Sequence, residues 1–74
     1  MKTKISTYKN VYHSLKKFGA PQNTTIKAIY MAKNINETLN GSLSEKQLKE
    51  ISQNILFMLE GCEGEAKFAK EILE

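Results

Sequence analysis

Apolar residues return every three or four positions along this chain, in four blocks separated by short breaks. In the first block Ile5, Tyr8, Val11, Tyr12, Leu15 and Phe18 fall on one side of a helix, because 3.6 residues per turn bring such positions together. Thr3 or Ser6 is placed to cap its start. Lys16 and Lys17 lie in its last turn, where the helix dipole favours cations, and Gly19 then Pro21 supply the stop. In the second block, about 24–40, Ala28, Met31, Ala32, Ile35 and Leu39 form a stripe that Ile26, Ile29 and Tyr30 widen. A helix apolar over more than half its circumference is expected at the centre of a bundle. Asn23 or Thr24 is its expected cap, and Asn40-Gly41 its end.

The third block carries the sharpest local signal. Ser44-Glu45-Lys46-Gln47 reads as a capping box, with Ser44 as N-cap and Gln47 reaching back. Leu43 and Leu48 flank it in the hydrophobic-staple arrangement. Leu48, Ile51, Ile55, Met58 and Leu59 form the stripe, with Leu56 at its edge and Gly61 as the stop. The fourth block, about 64–73, offers Ala66, Phe68, Ala69, Ile72 and Leu73, with Glu63 and Glu65 at the dipole-favoured end. No stretch alternates as a strand would. The pattern predicts an all-α single small domain, a mini-bundle of four short helices at about 5–18, 24–40, 45–60 and 64–73. The second and third helices form an antiparallel hairpin.

Composition adds limits. A chain of 74 residues is one domain with a thin core, since chains of about this size bury only roughly 60% of their unfolded surface. The single cysteine, Cys62, excludes an intrachain disulfide, so helix packing or self-association must carry stability. No apolar run approaches the length of a membrane span. The basic N-terminus leads into a patterned helix, where a signal peptide would continue into an unbroken apolar stretch. A cytoplasmic location is expected.

Charge changes the picture most. The first 36 residues hold seven lysines and no acid, whereas residues 37–74 hold all eight glutamates and four lysines. The basic half 1–36 is thus +7 and the acidic half 37–74 is −4, for a formal +3 with His13 neutral. A concentrated positive surface attracts phosphates or acidic protein. Lys2, Lys9 and Lys16 are seven residues apart and nearly eclipse, opposite the apolar stripe, with His13 and Lys17 beside them. Lys27 adds to the same basic half, and Tyr12 or Tyr30 stands at an edge for stacking on a base. Every cation is lysine, because arginine is absent. Without the planar guanidinium fork, contact with a phosphate backbone fits better than base reading. No helix-turn-helix signature accompanies these residues.

Other chemistry is thin. His13 and Cys62 are the one nucleophile–base pair, but Cys62 lies among Glu60, Glu63 and Glu65, an acidic setting that opposes a reactive thiolate. The glutamates have no aspartate or histidine beside them to suggest a metal cluster or a glycosidase-type pair. The glycines are isolated, and the sequons at Asn23, Asn36 and Asn40 lack a secretion signal. Phe57 is an anomaly: it projects about 180° from Leu48, among polar neighbours. It is expected either beneath the fourth helix or exposed as a partner anchor.

From Tyr8 to Gly61 the order of parts is loosely similar to the immunity proteins that protect producers of pediocin-like bacteriocins. The residues that carry it are the helix text Tyr8-Lys9-Asn10-Val11-Tyr12-His13-Ser14-Leu15-Lys16-Lys17, a Pro-containing loop, a helix ending near Asn34-Ile35-Asn36, and Leu43-Ser44-Glu45 opening the next. The resemblance implies a small, basic, antiparallel four-helix cytoplasmic protein. This chain is shorter than that family and ends in a helix where the family has a flexible specificity tail, so no site residue is carried over.

The expected function is non-enzymatic and needs no cofactor or small-molecule substrate. It is that of a small binding or regulatory protein, of the kind common among phage and plasmid accessory inhibitors. Its lysine-rich helix would contact an acidic macromolecule, either nucleic acid or an acidic protein patch. Two alternatives stand beside it. One is a protein-directed or immunity-type inhibitor docking through Phe57. The other is a homo-oligomer, at its simplest a homodimer, in which the basic half of one chain meets the acidic half of another.

Overall fold

The computed structural model describes residues 3–59 and 66–73. It contains four helices: α1 (Ile5–Leu15), α2 (Gln22–Thr38), α3 (Glu45–Met58) and α4 (Ala66–Leu73), and no strand among the described residues. The all-α small domain expected from the pattern is therefore what forms. α2 and α3 make the most extensive contact, α1 packs across both, and α4 packs on α1 and α2. Asn10 near the middle of α1 meets Glu45 at the start of α3, while Phe18 beyond α1 meets Phe57 near the end of α3. α1 and α3 thus run parallel and α2 runs antiparallel to both.

Each terminus has its own chemistry, and several differ from expectation. α1 starts at Lys4 without a side-chain cap. Thr3 is used elsewhere, as an acceptor for Asn36. After Leu15 the chain tightens into a single 3-10 turn, Lys16–Phe18, and Gly19 at φ 73° ends it by donating to the Lys16 carbonyl at 3.1 Å. That conformation favours glycine, which has no Cβ to crowd the carbonyl. α2 begins earlier than expected, after Pro21, so Asn23 and Thr24 lie inside its first turn instead of capping it, and Thr24 and Thr25 are buried there. Thr25 Oγ1 donates back to the Pro21 carbonyl at 3.2 Å.

The end of α2 is a Schellman closure: Gly41 N–H donates to the Asn36 carbonyl at 2.8 Å and Asn40 N–H to the Glu37 carbonyl at 3.0 Å. Asn40 takes φ 60° and Gly41 φ 71°, a conformation that asparagine tolerates better than most residues. α3 opens on the expected capping box, in which Gln47 N–H donates to Ser44 Oγ at 3.2 Å and Ser44 N–H to Gln47 Oε1 at 2.9 Å. It ends at Met58, short of the expected boundary, because Leu59 turns extended and packs partly on the core. The expected stop at Gly61 and the acidic pair Glu63 and Glu65 lie outside the described residues, as does Cys62.

The core joins Val11 and Leu15 of α1, Ile26 and Ile29 of α2, Leu48 of α3 and Ile72 of α4, all nearly or fully buried. α2 is turned relative to its expected stripe. Ala28 and Ala32 are buried, but Met31, Ile35 and Leu39 are exposed at 37%, 42% and 47%. The inward row instead includes Thr25 and Asn36, polar residues that bury without penalty because each finds a partner. Ile5, Phe18 and Met58 are likewise exposed where the stripes expected burial. The 3-10 turn swings Phe18 off the α1 stripe, and Met58 lies at the last helical position of α3.

Asn36 shows why this rotation is stable. Its Nδ2 donates to Thr3 Oγ1 at 2.6 Å and to Tyr8 Oη at 2.9 Å, and its Oδ1 accepts the Leu43 N–H at 3.0 Å. One fully buried amide therefore fastens α1, α2 and the α2–α3 loop. Ser52 is the opposite case. It is also fully buried, and its Oγ has no hydrogen-bond partner among the described residues.

Candidate binding surface

The lysine row survives in part as a physical surface. Lys9 is half-buried on the outer side of α1, and His13, Lys16 and Lys17 are exposed. Lys2, the row's expected first member, lies outside the described residues. The basic groups sit beside rings. Lys16 Nζ stands 5.9 Å from the centre of the Tyr12 ring, and Lys17 Nζ 5.3 Å from that of Phe18. The His13 ring meets Tyr12 edge-on, with centres 5.7 Å apart. A cation at such distances is drawn to the ring face by its quadrupole.

Phe57 is not covered by the last helix: it is 62% exposed. Its partner is Phe18, in an edge-to-face pair with centres 5.2 Å apart and planes at 79°. The fold thus joins two features that the sequence presents 39 positions apart. The exposed aromatic pair lies at the end of the bundle where Lys16 and Lys17 also emerge. The apolar stripe of α1 places Phe18 in the core, which hides the pairing; the position of Phe57 opposite Leu48 signals an unusual residue but not its partner.

Other expected members fall elsewhere. Tyr12 is 7% exposed, so its ring belongs to the core, with Lys16 Nζ over it, and it offers no open face for stacking. Lys27 does not join the row, because it belongs to the flank of α2 away from α1. The α1 side of α2 is marked by Asn36, bonded to Tyr8, and Lys27 is about 180° round the helix from it. Lys27 Nζ lies 6.0 Å from the Tyr30 ring and Lys33 Nζ 5.8 Å from the same ring.

Among the described residues, two charge pairs form along the helices. Lys33 Nζ contacts Glu37 Oε1 at 2.6 Å, and this hydrogen bond raises the lysine pKa. Glu45 accepts from Asn10 Nδ2 at 3.0 Å and faces Lys49 at 3.5 Å; the Asn10 hydrogen bond first, then Lys49, holds its carboxyl below the usual range. Glu45 thus sits at the opposite end of α3 from Phe57. A shallow groove at the N-terminal end of α1 is lined by Lys4, Lys9 and Lys33 together with Glu37 and Glu71, a mixed lining that favours neither charge. Among the described residues no three metal-ligating side chains cluster, and no helix is long and apolar enough to cross a membrane. No protein-family model, no curated protein and no solved structure matches this chain.

Proposed function

We propose that this chain is a non-enzymatic binding protein that engages an anionic macromolecule, nucleic acid or nucleoprotein foremost, through the basic and aromatic end of α1. The observation that carries the reading is the placement of exposed Lys16 and Lys17 beside the exposed Phe18–Phe57 pair. Lysines supply sequence-independent attraction to phosphates, and an exposed ring offers a base a surface to stack on. An all-lysine site with no arginine favours backbone contact over base discrimination.

The test is a fluorescence-anisotropy titration with a labelled single strand and a labelled duplex. Affinity should fall at least tenfold as salt rises from about 50 to about 200 mM. Lys16→Glu with Lys17→Glu should abolish binding, and Phe57→Ala should weaken the single strand more than the duplex. No binding to either probe at low salt would overturn the reading. The 62% exposure of Phe57 also favours a second reading, apolar docking onto a protein partner with charge serving solubility. That mode would tolerate salt and still fail with Phe57→Ala.

A further inference from the structure

The rings of Phe18 and Phe57 stand at 79° to each other with centres 5.2 Å apart, so no flat group can lie on both. Their surroundings differ. Lys17 Nζ is 5.3 Å from the Phe18 centre, and Phe18 is 37% exposed against 62% for Phe57. Phe57 is therefore the open platform, and the Lys17 ammonium lies one ring away from it. Two paths lead from this platform. Along α3 stands Glu50, seven positions back and about 10 Å away, and Glu60 follows α3 in the chain. Along α1 itself there is no acidic residue. Lys17, Lys16 and then Lys9 extend over about 12 Å of that helix. The row ends at Lys9, which borders the groove that holds Glu37 and Glu71. At about 3.4 Å or more per nucleotide, such a row covers about three phosphates.

We infer that the ligand of this site is a single strand and not a duplex, with one unpaired base stacked on Phe57 and the backbone led along α1. The inference rests on the nucleic-acid reading above and narrows it. A paired base has both faces stacked on its neighbours and shows only its edges in the grooves. A duplex laid along α1 would thus bring sugar and phosphate against Phe57, covering the ring without stacking on it. An unpaired base can turn its face to the ring, and every base has such a face. Its phosphate then meets Lys17, and the next ones meet Lys16 and approach Lys9. Stacking one base on an aromatic ring is worth a factor of roughly five to a hundred in affinity, and only the single strand gains it. Ring and lysines address base and phosphate, which DNA and RNA strands share.

The test compares a DNA strand, an RNA strand of the same sequence and the DNA duplex by anisotropy titration of the full chain at one salt concentration. Both strands should bind at least about fivefold tighter than the duplex. Their logarithmic salt slope should be about −2, from three phosphates at about 0.7 each. Phe57→Ala should bring strand and duplex to equal affinity, and Phe57→Tyr should restore the preference. Phe57 is exposed, so these variants keep the fold, which circular dichroism checks. The chain has no tryptophan, so Phe57→Trp places a single reporter at the platform, and its emission should be quenched by the strands and not by the duplex. Equal affinity for strand and duplex, or a duplex that binds tighter, overturns the inference and leaves the nucleic-acid reading standing. So does a strand preference that folded Phe57→Ala retains, or a bound strand that leaves the emission of Phe57→Trp unchanged. Absence of binding by all three probes at low salt overturns both.

Discussion

Two buried polar side chains make opposite contributions, and the difference is whether each has partners. Asn36 satisfies both amide hydrogens and its carbonyl within the fold. Removing it strands the Leu43 N–H and the groups on α1 that it anchors, and an orphaned buried group costs about 1–3 kcal/mol. We expect Asn36→Ala to destabilise the protein by at least about 3 kcal/mol, since it also leaves a void. Asn36→Asp should fare little better, because a carboxylate at this fully buried position is a charge taken out of water. Among the described residues Ser52 has no such partner, so its hydroxyl is a desolvation cost without return. Ser52→Ala should be neutral or stabilising by up to about 1 kcal/mol. Urea denaturation of the three variants checks the contrast; a loss of stability in Ser52→Ala would show that the hydroxyl is bonded in solution.

At the scale of the element, α3 was legible in the sequence because its information is local. The Ser44–Gln47 box and the Leu43–Leu48 flank occupy consecutive residues, and both hydrogen bonds form as the motif requires. Ser44→Ala removes the acceptor for Gln47 N–H and should cost about 1 kcal/mol, measured as a lower denaturation midpoint with the slope unchanged. Retention of the wild-type midpoint would mean that water satisfies the first turn as well as serine does. α2 was less legible. Its apolar text pointed to Met31, Ile35 and Leu39 facing inward, but its rotation is set by Asn36 and Thr25, whose partners come from α1 and from the preceding turn. Periodicity scores asparagine as a surface residue and has no access to a partner 28 positions away. The Phe18–Phe57 pair was hidden for a related reason. The 3-10 turn changes the angular step after Leu15, so an extrapolated α-helical wheel places Phe18 wrongly.

For the whole molecule, a core this small makes every contributing helix count. α4 is short, at eight residues, too short to be helical on its own in water. Its helicity therefore depends on docking to α1 and α2. Ile72, 3% exposed, inserts into the same cluster as Val11 and Leu15. Truncating it removes buried methylenes and leaves a cavity, a change worth about 2–5 kcal/mol in well-packed cores. Chains of this size have about 4–11 kcal/mol in all, so Ile72→Ala removes a large share. Its midpoint should fall by at least about 8 °C, given roughly 4–8 °C per kcal/mol for small domains. Circular dichroism on heating measures this, and it separates two pictures of the bundle. If α4 is integral, the transition stays single and shifts as a whole. If α4 only rests on a self-sufficient three-helix core, Ile72→Ala lowers helicity at room temperature and leaves the main midpoint in place. The burial of Ile72 against residues from both α1 and α2 favours the first.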